Sequence, residues 1–449
     1  VTPLPAVADP AADLDHVERL LTAAHPALHR FVTEEELHAR FEAERAHLRS
    51  LAHPTQLDEG AALHRVLARV GDAHLLVALP VYQPTSTAAV SLLPVSVRTV
   101  EGRVLVDAAT AAWPVGTELV AIDGEPVESA LASLAALVPA DGRDPVAIRR
   151  SLEHDLQKWW ALGRGVRDTY VVTVRLPSGE RAEQALAGVD RAGARALVAA
   201  RRTAGWTPSP APDPLPTLVR AAGRVILRVP TFGVGDTAAF RERVDALLGT
   251  VDPDEPLVID LRGNEGGLRT NANAVLDHLM PGPYAEWTAM RAVTRELPEP
   301  LRADLQFLAG TDRQRLRPAF RGPRGPDGWT VDGDPLAATP PPGARSGPLE
   351  VWVDGRTGSA ANGFALIVAS QHPTATVVGE RTGGGCDAHV GELPVVWTSP
   401  RTGVAVMFSM LALTHVAAPG CVPGLGLPPD VEIVPTLGDF LAGRDPWAR

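Results

Sequence analysis

From Arg224 onward, short apolar runs alternate with stretches of helical length, and this alternation constrains the fold more than any other feature of the chain. RVILRVPTF precedes a helical stretch over 237–249. PLVIDLRG precedes one over 270–280, and LEVWVDG one from Ser359 to Ser370, after which TATVVGERTGGG follows. Parallel strands cannot be joined by a tight turn and need a crossover, usually a helix. Strand–helix–strand order therefore predicts an α/β fold, and 449 residues give room for several domains.

Two of these strands end in turns with chemical potential. LVIDLRGNEGG closes on Gly266 and Gly267, where backbone N–H groups can point at a ligand. WVDGRTGSAA closes on a small-residue turn that presents Ser359 at the start of a helix. A serine on such a turn, beside free amides, supplies what acyl transfer needs: a nucleophile and donors to an oxyanion. Ser359 is the candidate nucleophile, with the amides of Gly266 or Gly267 and of Ala360 as oxyanion donors. A serine N-capping the helix is compatible with that role, since a helix N-terminus also favours an anion. Asp260 and Arg262 are expected to form an internal ion pair that fixes the first turn.

The rest of the chain has other periods. Residues 1–81 read as a helical region, with Leu14, Val17, Leu20 and Leu21 at helical spacing and Thr33 before three glutamates as an N-cap. It ends at Gly71, followed by His74 in GDAHLLVALP. Residues 82–200 form a β-rich module, with hairpin signals at Glu101-Gly102 and a helix over 145–164. Residues 201–222 are proline-rich and read as a linker. The catalytic core then spans 223–449, interrupted by an irregular insertion over 281–347.

Composition narrows the partners. A formal charge of −11 is repelled by phosphate backbones and anionic bilayers, so neither nucleic acid nor membrane is expected. No metal-ligand or cofactor pattern is present, and none is expected. The N-terminus lacks the charged and apolar regions of a signal peptide, so the expectation is a cytoplasmic chain, or else one from which a leader has been removed. On the cytoplasmic expectation Cys386 and Cys421 are read as free thiols, with a disulfide pinning two active-site loops as the alternative. The single lysine, Lys158, lies between helical-face residues beside two tryptophans and reads as a surface charge.

Taken in order, HPALHRF, GDAH, PVGTELVAIDGEPV, DLRGNEGG, TGSAA with VVGERTGGG, and GLGLPPDVEIVPTLGDFLAGRDP resemble the C-terminal-processing and tricorn-type serine peptidases over nearly the whole chain. The resemblance implies a crotonase-like ββα spiral core with a PDZ-like module. It implies a peptide or protein substrate and allows a homo-oligomer. It matches Ser359 to the nucleophile and His74 to the general base of the histidine-using branch, with His372, His389 and His415 as rivals. It also implies that both cysteines lie near Ser359.

The chain departs from the pattern at three places. Gly384 and Gly385 stand where many members carry a lysine base, Asn362 stands for an acid after the nucleophile turn, and Pro423 or Gly424 stands for the glutamate that orients the histidine. Asp72, Asp387 and Glu392 are candidate replacements for that acid. The function expected is a serine peptidase independent of metal. Two alternatives are a non-catalytic ligand- or peptide-binding member of the same fold, and a dedicated hydrolase or cyclase for a specialised substrate.

Overall fold

The computed structural model describes residues 9–82, 90–110, 113–201, 203, 206, 214–221, 223–294, 299, 301–308, 328–330, 337–338, 345 and 347–448. It is a mixed α/β structure built on three large sheets. The predicted alternation becomes a six-stranded sheet. In spatial order its strands are Val431–Glu432, Thr376–Gly379, Leu349–Val353, Leu257–Asp260, Arg224–Arg228 and Thr217–Ala221. All neighbours are parallel except the last pair. The register sets Leu257 opposite both Val225 and Leu349. Every residue of Leu257–Asp260 is buried, as expected of a central parallel strand covered on both faces.

The helices Thr237–Leu248, Arg269–Leu276 and Ser359–Gln371 contribute to the core of this sheet through Phe240, Val275, Phe364 and Ile367, which join Val225, Ile259 and Val351. The opposite face packs Val258, Trp352 and Val378 against Val100, Leu105, Trp206, Phe440 and Trp447. Arg262 lies between Trp352 and Trp447, 4.9 Å from each ring centroid. Its guanidinium pairs with Asp260 at 2.8 Å, the ion pair expected from sequence, and with Asp445.

An antiparallel sheet lies beyond, built on the long strands Ala388–Thr398 and Ala405–Thr414. The strand Leu76–Ala78 from the N-terminal region pairs with the second of these, placing Leu76 opposite Met407. This pairing brings the His74 turn to the core. Three helices precede it, Pro10–Ala24, Glu34–Ser50 and Gln56–Leu67; the second and third begin with capping boxes at Thr33 and Thr55. The middle module is a sheet of Val97–Val100, Arg103–Val106, Glu118–Ile122, Thr169–Arg175 and Arg181–Ala187, with helix Val127–Leu134. Asp123 and Gly124, both at positive φ, make its Asp-Gly turn.

Several boundaries differ from expectation. The helix over 145–164 is two helices, Pro145–His154 and Leu156–Arg164, because Asp155 leaves helical geometry. In the stretch read as a linker, Thr217–Ala221 is a sheet strand, Trp206 is buried, and Thr203 is bonded to Asp107; residues 207–213 lie outside the described residues. The insertion contributes strands Ala289–Ala292, Leu305–Phe307 and Trp329–Thr330 to the antiparallel sheet. Its proline-rich stretches at 323–327 and 340–343 lie outside the described residues. One apolar core, from Leu14 through Trp160 to Phe408, runs through the helical region, the module and the antiparallel sheet. Sequence periodicity shows where a face is apolar but not which other face covers it.

Candidate active site

The site forms where parallel strands end, the usual place for ligands in open α/β sheets. After Val353 the chain turns through Asp354, whose Oδ1 accepts the N–H of Arg356 at 2.9 Å and that of Gly263 at 3.0 Å. Thr357 Oγ1 donates to Leu261 O at 3.0 Å, and the Gly358 N–H to Asn264 O at 3.0 Å. The two turns singled out in the sequence are thus knitted into one unit. Ser359 opens the next helix at φ 49°, a left-handed conformation that costs a serine energy and recurs at functional turns. Sequence reading placed the serine but not this strain.

Glycine is required beside it. A Cβ on Gly266, at φ 101°, would lie 2.6 Å from Ser359 Cβ. A Cβ on Gly267, at φ 134°, would lie 2.1 Å from Gly233 N. The Gly266 N–H is committed to Asn264 Oδ1 at 2.9 Å, so it is not available as an oxyanion donor. Among the described residues no hydrogen bond ties down the amide of Gly267 or of Ala360.

His74 Nε2 lies 3.1 Å from Ser359 Oγ, a contact between residues 285 apart in sequence. Asp72 Oδ1 accepts the backbone N–H of His74 at 2.7 Å and stands 3.6 Å from its Nδ1. At that distance Asp72 acts on the ring by charge. Nδ1 is buried without a hydrogen-bond partner. Burial, the strongest single influence, disfavours the charged imidazole; Asp72, then Asp141 and Glu392, outweigh it and raise His74 above its ordinary 6.5. Burial also pushes Asp72 up, but hydrogen bonds from His25 and His74 and their charges hold it well below the usual carboxylate range.

The other candidates are placed differently. Asp387 pairs with Arg30 and accepts the Gly424 N–H at 3.1 Å, with no hydrogen bond or ion pair to His74. Glu392 pairs with Arg269 at 3.1 Å, and burial raises its pKa. His389 stacks on His74 with ring centroids 5.6 Å apart, and its Nδ1 lies 2.7 Å from His415 Nε2. Burial drives His389 well below its ordinary value and brings His415 to about 4, so both are neutral at pH 7. His372 caps the far end of the Ser359 helix. Lys158 stacks on Trp159, 4.4 Å from the ring centroid.

A cavity of about 60 Å³ opens beside Ser359, with Ala272, Leu276, Phe364, Ile367 and Leu413 among its lining residues. Arg269, 4.4 Å from the Trp287 ring centroid, marks its polar rim. At Gly384, a Cβ would come within 2.7 Å of Asn362 Nδ2, so no lysine can stand there without displacing Asn362. Asn362 instead donates to Gly385 O at 3.0 Å and accepts from Thr382 Oγ1 at 2.7 Å, pinning the glycine-rich loop.

Cys386 and Cys421 form a disulfide, with Cα atoms 5.7 Å apart. This corrects the free-thiol expectation. The loop after Gly385 and the loop before Gly424 are brought together by the pairing Gly385↔Gly426 and by the Cys386 N–H bonding Leu425 O. Apart from the resemblance, which sets both cysteines near Ser359, the sequence offers no sign of that approach. One residue that sequence reading passed over, Asp141, also borders His74: oxygens of Asp72 and Asp141 and a ring nitrogen of His74 lie within 4.8 Å of one another.

Residues 225–406 match the model of peptidase family S41. No curated protein sequence matches the chain. Among solved structures, mature CPAF matches at 18% identity with a TM-score of 0.64, over 98% of this chain and 95% of that one. Mature CPAF complexed with lactacystin matches at 18% with a TM-score of 0.63, over 97% and 95%. At this identity the likeness to CPAF bears on the fold, while the match over 225–406 bears on the chemistry: this stretch is similar to peptidase family S41, a family of serine-type peptidases.

Proposed function

We propose that the chain hydrolyses peptide bonds with Ser359 as nucleophile and His74 as general base. His74 Nε2 takes the Ser359 proton as Oγ attacks the scissile carbonyl, then returns it to the leaving amine. The amides of Gly267 and Ala360 receive the developing oxyanion, and Asp72 stabilises the imidazolium by charge. The observation that carries this reading is the 3.1 Å approach of Nε2 to Oγ. The positive φ of Ser359 supports it independently.

The cavity suits one aliphatic side chain of the substrate. Its roughly 60 Å³ is well below the about 150 Å³ that accepts a benzene ring in an engineered apolar cavity. We read the parallel sheet with its helices as the crotonase-like core and the module around Val97–Ala187 as PDZ-like, on strand order and helix placement. The disulfide favours an oxidising compartment over the cytoplasm.

Labelling by a fluorophosphonate tests the mechanism. Ser359→Ala should abolish labelling and peptide hydrolysis with the melting temperature retained, and His74→Ala should slow both by orders of magnitude. Full activity in Ser359→Ala would exclude this mechanism.

A further inference from the structure

Asp141 lies in the turn Asp141–Arg143 of the middle module, 67 residues after His74 in sequence, yet its buried carboxylate is shared between two loops of the site. Oδ1 accepts the N–H of Ala73 at 2.9 Å, the residue immediately before His74. Oδ2 accepts the N–H of Gly385 at 2.9 Å, in the loop that Asn362 pins from the Ser359 helix. The next residue continues the tie: the Gly142 N–H donates to Gly71 O at 2.9 Å. Glycine is required there, since a Cβ on Gly142 would fall 1.8 Å from Gly424 O.

We propose that Asp141 is a positioning residue for His74. On the Ser–His reading above, it holds the His74 turn against the glycine-rich loop and adds a second negative charge beside the imidazole. Each carboxylate oxygen has a backbone amide to answer, which fixes its place without a side-chain partner. The geometry links the base, carried by the N-terminal region, to the nucleophile helix of the core through a residue of a third segment. Loss of that link shifts Nε2 relative to Oγ, and a misplacement of about 1 Å costs on the order of 100-fold in rate.

The charges facing His74 come from every side. Asp72 lies on its own turn, with His25 behind it; Asp141 comes from the module; Glu392 and His389 come from the antiparallel sheet, with Arg269 and His415 behind them. Asp141 and Asp72 both favour the protonated ring. Removing Asp141 therefore lowers the pH at which His74 becomes a neutral base.

The test measures fluorophosphonate labelling of the intact protein against pH. In this reaction Ser359 Oγ bonds to phosphorus, fluoride leaves with the bonding pair, and the serine proton passes to His74. Asp141→Asn should label about 10- to 100-fold more slowly than wild type. Its acid limb should move to lower pH by roughly 1 unit. A limb that stays in place, at any rate of labelling, reduces Asp141 to a structural role and overturns the proposal. His74→Ala is the control for the underlying reading: wild-type labelling in that variant sinks the Ser–His mechanism itself, and the proposal with it. Should Asp141→Asn not fold, carbon-13 NMR of wild-type protein labelled at aspartate and histidine decides. The Asp141 carboxyl carbon should inflect at the midpoint of the His74 ring, and a flat trace through that pH overturns the proposal.

Discussion

His25 Nε2 lies 2.9 Å from Oδ2 of Asp72, so the acid beside His74 is shared between the His25 ring and the backbone of the His74 turn. The pair is buried. The His25 ring fixes one carboxylate oxygen and leaves the other for the His74 turn, where it accepts the backbone N–H. This arrangement orients the whole turn rather than the His74 ring alone.

Replacing His25 by Phe should leave Asp72 Oδ2 buried and unanswered. That costs about 1–3 kcal/mol of stability, read as a lower denaturant midpoint. Labelling by a fluorophosphonate at pH 8 should fall far less than in His74→Ala. A loss of labelling equal to that of His74→Ala would place His25 in the proton path.

Asp72→Asn removes the charge that most raises His74. A base whose folded pKa is raised loses its neutral form as pH falls through that raised value, so wild-type labelling should decline on the acid side from above 6.5. In the variant the decline should begin at lower pH, by roughly 1 unit or more. An acid limb unchanged in Asp72→Asn would show that another group sets it.

Gly266→Ala should cut the labelling rate by at least about 100-fold and lower the melting temperature. The new Cβ meets Ser359 Cβ at 2.6 Å, and the residue must hold φ 101°. Normal labelling would show that the turn has room to relax.

Asn362→Ala removes two buried hydrogen bonds that hold the glycine-rich loop. The expected loss is about 2–3 kcal/mol, measured by chemical denaturation, with slower labelling because the same loop anchors Asp141. An unchanged denaturation midpoint would mean that the disulfide alone fixes the loop.

Reduction of Cys386–Cys421 should lower stability. The bond closes a sequence separation of 35 residues, worth about 4 kcal/mol in the chain-entropy model. Denaturation with and without reductant measures it, and thiol counting on the denatured, unreduced protein should find no free thiol.

The parallel sheet, the Ser359 turn and the capped N-terminal helices were legible in the sequence because each depends on local pattern. Strand–helix alternation, an Asp-Gly turn or Thr33 before Glu36 acts over a few residues, and its physics is written where it operates. The Ser359–His74 pair was reached only through resemblance to a family. Nothing local in GDAH announces a partner 285 positions away. Only the tertiary structure shows which of the candidate carboxylates stands nearest His74, namely Asp72. Asp72, Asp387 and Glu392 were equal as sequence candidates, and they separate because Arg30 takes Asp387 and Arg269 takes Glu392. Asp141 was invisible for the same reason: its role rests on two backbone amides, of Ala73 and Gly385, which no side-chain pattern encodes. The disulfide likewise follows from two loops brought within 5.7 Å by the fold. Local sequence set the elements and the strained serine's address; long-range packing chose the charges around it.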